Sequence, residues 1–69
     1  MNKRLNVSIK VEFNDDPLDF IWIEGPYDAA MKSAWTHGIK AFENGWSARA
    51  VMLDFVNGNR EVFSVKKNG

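Results

Sequence analysis

The sequence predicts an α+β domain of order ββαββ, a four-stranded sheet with one helix packed on one face. Three observations predict it. Residues 5–13 alternate strictly between apolar and polar, one amphipathic stretch lies between Gly25-Pro26 and Asn44-Gly45, and Asn57-Gly58-Asn59 divides two runs of β-formers. The 69 residues are read as a single domain with an ordered core over about residues 5–66 and short polar tails.

In the first run Leu5, Val7, Ile9, Val11 and Phe13 alternate with Asn6, Ser8, Lys10 and Glu12. Period two puts one set on each face of a strand, so this strand has a buried side and a wet side. Asn14-Asp15-Asp16-Pro17 follows. Asn and Asp side chains satisfy their own backbone in turns, and proline offers no donor to a ladder, so the chain reverses here.

Leu18 to Glu24 is the second strand. Its centre, Phe20-Ile21-Trp22-Ile23, is apolar at four consecutive positions. Any strand there sends two large apolar side chains to each face, and one pair must point away from the helix. Gly25 ends the strand, and Pro26 suits the first helical position, where its missing N–H has no partner to lose.

Over Tyr27 to Asn44, at 100° per residue, the apolar residues gather on one half of the helical wheel. Ala30, Ala34, Gly38 and Ala41 form a small flank that lets a helix lie close to a sheet. Met31, Trp35, Ile39 and Phe42 form a bulky flank, expected to fill the wider side of a twisted sheet, with Trp35 in the core. Gly45 supplies the left-handed residue that closes the helix.

Trp46 to Val56 and Arg60 to Lys66 are the last two strands, and Asn-Gly between them is a hairpin signal. A three-residue loop with a bulge at Gly58 is preferred. It sets Asp54 opposite Arg60 and keeps Val51, Leu53, Phe55, Phe63 and Val65 on one face, with Trp46, Ala48, Ala50 and Met52 on the other. Hairpin, helix, hairpin over residues 5–66 resembles the β-grasp topology of ubiquitin-like and protein G domains, in element order and length. That resemblance implies a central parallel pair of first and last strands, which would bring Lys66 and Lys67 beside Asp15 and Asp16. A fully antiparallel sheet is the alternative, favoured by the length and apolarity of the third strand, which suits a centre better than an edge.

Composition narrows the function. Nine basic residues balance nine acidic ones, whereas non-specific nucleic-acid affinity comes from clustered cations releasing counterions. Met1 to Arg4 leads into an alternating run and not a continuous apolar one, no stretch approaches the roughly 18 apolar residues of a membrane span, and cysteine is absent. An intact cytoplasmic protein is expected.

No catalytic, metal or cofactor motif emerges. His37 has no carboxylate three or four residues away to orient it as an acid or base. Asp15, Asp16 and Asp19 match no calcium loop, and the glycines begin no phosphate-binding run. What remains is a small non-enzymatic protein that binds another protein, or itself as a homodimer, in the manner of a regulator or inhibitor. Small accessory proteins of phages and mobile elements are of this type. The expected contact surface is the helix-free sheet face: Phe20, Ile21, Trp22, Ile23, Trp46, Ala48 and Met52. A single-stranded nucleic-acid-binding sheet is the alternative, with the same aromatics stacking on bases beside Lys10, Arg49 and Lys66.

Overall fold

A computed structural model describes residues 6–53 and 58–66 of the chain. It contains β1 (Asn6–Phe13), β2 (Asp16–Pro26), the helix α1 (Tyr27–Glu43), β3 (Ala48–Leu53) and β4 (Arg60–Val65). All strand pairs are antiparallel, in the order β2-β1-β3-β4. The sheet is therefore the fully antiparallel one, without the β-grasp's central parallel pair. β4 does run parallel to β1, and the side chains of Lys66 and Asp15 border one shallow cleft. Opposite charge anticipated the relative direction of the two strands, but β3 lies between them.

The β1–β2 connection is as tight as its residues suggest. Asn14 and Asp15 both take left-handed backbone, with φ of 56° and 57°, the geometry of a type I′ turn that matches strand twist. Asn14 also binds the start of β3. Its amide donates to the Ser47 carbonyl at 2.8 Å, and its side-chain oxygen accepts from the Ser47 amide at 3.2 Å. Residues 17–19 bulge out of the ladder, since Phe13 pairs with Asp16 while Glu12 pairs with Phe20. The proline sits on a sheet edge, where its missing donor costs no ladder bond.

The helix ends in a Schellman motif. The Trp46 amide donates to the Ala41 carbonyl, and Gly45, at φ 78°, donates to the Phe42 carbonyl. This places Trp46 at the sheet's end, its ring edge-on to Phe13 at 6.2 Å.

The core is built from Ile9, Val11 and Phe13 of β1, Ala48, Ala50 and Met52 of β3, Phe63 of β4, and Ala30, Ala34 and Ala41 of the helix. The expected faces of β3 are thus reversed. Pairing sets the phase: Ile9 lies opposite Met52, Val11 opposite Ala50 and Phe13 opposite Ala48, and residues directly opposite share a face. Small residues on β3 and on the helix let the two backbones approach. Val51 and Leu53 are left on the outer face.

The bulge in the last hairpin also lies elsewhere than at Gly58. Ala50 pairs with Phe63 and Val51 with Glu61, so Val62 is the extra residue. That extra residue returns Phe63 and Val65 to the helix side. Arg60 pairs with Met52; Asp54 and Phe55 lie outside the described residues.

Candidate interaction surfaces

The helix rests on β1, with β2 and β3 to either side. It meets the sheet through Ala30, Ala34, Gly38 and Ala41, all buried. It reaches β4 chiefly through Phe63, whose ring stacks on Trp35 with centroids 4.7 Å apart. The bulky flank does not fill the core. Trp35, Ile39 and Phe42 remain 45%, 54% and 48% exposed. The cause is lateral position: a helix is about 10 Å across and strands are about 4.8 Å apart, so one helix covers about two strands. Centred on β1, it leaves β4 bare.

A groove therefore runs between the helix and β4, and the Trp35–Phe63 stack divides it. One compartment, of about 230 Å³, is bounded by Tyr27, Met31, Met52, Arg60 and Val62. The other, of about 210 Å³, is bounded by Trp35, Gly38, Ile39, Phe42, Phe63 and Val65 and has an entirely apolar wall. Sequence reasoning placed these helix residues inward because their period is right. Periodicity reports which residues share a helical flank, and not whether the sheet extends beneath it.

The structure disperses the expected sheet-face cluster. Phe20 and Trp22 do face away from the helix, edge-on to each other at 6.1 Å. Ile21 and Ile23 turn inward and pack against the core, Ala48 and Met52 are buried in it, and Trp46 stands at its end. The outer face is consequently mixed. Ladder neighbours of the aromatics include Lys10, Glu12 and Glu24, and Lys10 Nζ lies 4.7 Å from the Phe20 ring centroid and 3.2 Å from Glu12. Arg49 is held by Glu61 at 3.0 Å. Charged residues thus interrupt the apolar surface that Val51, Leu53, Phe20 and Trp22 would otherwise form.

Both sheet edges carry features that discourage strand addition. β2 has Asp16, Pro17, Asp19 and the bulge; β4 has Arg60, Glu61 and its own bulge.

Chemical machinery is sparse. His37 lies exposed, its Nδ1–H donating to the Ser33 carbonyl at 2.9 Å. Among the described residues no group of three His, Cys, Asp or Glu side chains is placed to hold a metal ion, and no helix is long and apolar enough to cross a membrane. No protein-family model, curated protein or solved structure matches the chain.

Proposed function

We propose that this protein acts by stoichiometric binding to another protein, as a small regulator or inhibitor, and that the groove between α1 and β4 is the contact surface. One observation carries the reading: Trp35, Ile39 and Phe42, the bulkiest side chains of the helix, stand about half exposed beside an uncovered strand. Contiguous exposed apolar surface of this kind marks interaction sites in small proteins. Tryptophan and its aromatic neighbours supply large, rigid contact area at low entropic cost. A reducing cytoplasm suits a chain without cysteine.

A photo-crosslinking amino acid placed at Ile39 tests this in the native host, with the same group at Trp22 as the comparison. Position 39 is expected to yield one adduct of defined mass, either with a second protein or, if the chain self-associates, with itself. Sedimentation velocity on the purified chain separates those two. Adducts from position 22 with none from position 39 would move the function to the outer sheet face and overturn the groove.

Single-stranded nucleic acid is the second reading, favoured by Trp22 and Phe20 beside Lys10 on one face. Glu12, Glu24 and Glu61 share that face, and charge balance over the chain supplies little counterion release. Unchanged tryptophan fluorescence on adding oligonucleotide at low salt would remove it.

A further inference from the structure

We infer that the occupant of the groove is an amphipathic helix of a partner protein, lying alongside α1 over β4 with its acidic flank toward the strand edge. The inference rests on the groove reading above and specifies what fills it. Three observations meet there.

The first is space. From β1 to β4 is two strand spacings, about 10 Å, and packed helices lie 8–10 Å apart. A helix centred over β4 would stand one helix spacing from α1, so a four-stranded sheet has room for two helices and the chain places one of them.

The second is spacing on α1 itself. Met31, Trp35, Ile39 and Phe42 follow one another at intervals of four, four and three residues, the repeat by which one helix packs against another. The centre of this stripe lies about a quarter turn from the Ala34 direction that faces the sheet. It points sideways, across the groove.

The third is charge and edge chemistry. Arg60 and Lys66 stand exposed at the two ends of β4, and neither meets a carboxylate among the described residues. A helix over β4 would bring its outer flank to both cations, and acidic side chains there complement them. The bulge at Val62 and the charges on β4 disfavour a strand as the occupant. A second copy is disfavoured because its own helix already commits its small flank to its own sheet.

Selection of a random 20-residue peptide library on the immobilised full chain tests the proposal. The expected ligands carry apolar residues at i, i+3 or i+4 and i+7, have net negative charge, and become helical by circular dichroism on binding. Their affinity should fall at least tenfold with Ile39→Glu, and equally with Phe42→Ser as a second groove variant, while Trp22→Ala leaves it unchanged. Selection on the Arg60→Glu/Lys66→Glu chain should shift the ligands toward net positive charge. Extended ligands of period two that still depend on Ile39 would overturn the helical occupant and leave the groove intact. Ligands indifferent to both groove variants would overturn both readings, and failure to enrich any ligand would overturn the helical occupant.

Discussion

Two ring atoms of Phe63 lie 2.7 Å from the position a β-carbon on Gly38 would occupy. The absence of a side chain at Gly38 is what lets β4 send an aromatic ring under the helix, where Trp35 stacks on it. The floor of the groove is therefore a product of one glycine.

Replacing Gly38 with alanine sets two effects against each other. Helix propensity improves by about 1 kcal/mol, while the new methyl displaces Phe63, with an overpacking cost of about 1–3 kcal/mol. A net loss of about 1 kcal/mol is expected in urea unfolding, with a changed near-ultraviolet signal from Trp35. In a Phe63→Leu background the same substitution should become neutral or stabilising, because the ring it strikes is gone. A double-mutant cycle reads this coupling directly.

Burial divides the large apolar residues into two groups with opposite responses. Ile9 is fully buried beneath the helix, so Ile9→Ala should cost about 2–4 kcal/mol, enough to unfold much of a 69-residue domain. Ile39→Glu should change stability by no more than about 0.5 kcal/mol. Thermal melts of the two variants check both, and a stable Ile39→Glu protein is the control that binding experiments require.

The small flank of the helix should resist enlargement. Ala34 is completely buried against the sheet, and Ala34→Leu forces the helix away from β1, with an expected loss of about 1–3 kcal/mol. The same addition of bulk at exposed Thr36 should be close to neutral. Chemical denaturation of the pair separates close approach from helix propensity.

Asp15 holds φ at 57° without being glycine. Asp15→Gly removes side-chain strain and creates an Asn-Gly turn, which should stabilise the domain by a few tenths of a kcal/mol, up to about 1 kcal/mol. Asp15→Val should destabilise it by more than that, since a β-branched residue resists left-handed backbone. Midpoints of thermal unfolding give the order.

Ion pairs on the outer face contribute little. Arg49 and Glu61 are each about half exposed, so a double-mutant cycle on this pair should give less than about 1 kcal/mol. Moderate salt should leave the melting temperature nearly unchanged.

Element order, the faces of β1 and the helix end were legible in the residues because each depends on neighbours a few positions away. Alternation over Val7 to Phe13 sets which side of β1 is wet, and Gly45 closes α1 whatever the rest of the chain does. Even the relative direction of β1 and β4 was foreshadowed, by Lys66 and Asp15. The phase of β3 was not legible. Ala48, Ala50 and Met52 alternate with Val51 and Leu53, both sets are apolar enough to be buried, and local period two offers no choice between them. Pairing with Ile9 and Val11, some forty residues away, makes that choice. The groove has the same origin. Met31, Trp35, Ile39 and Phe42 share a flank by helical period alone, but whether that flank is core or surface depends on where the helix sits across the sheet. Centred on β1, the helix buries its small flank, and the large one is left beside an uncovered strand.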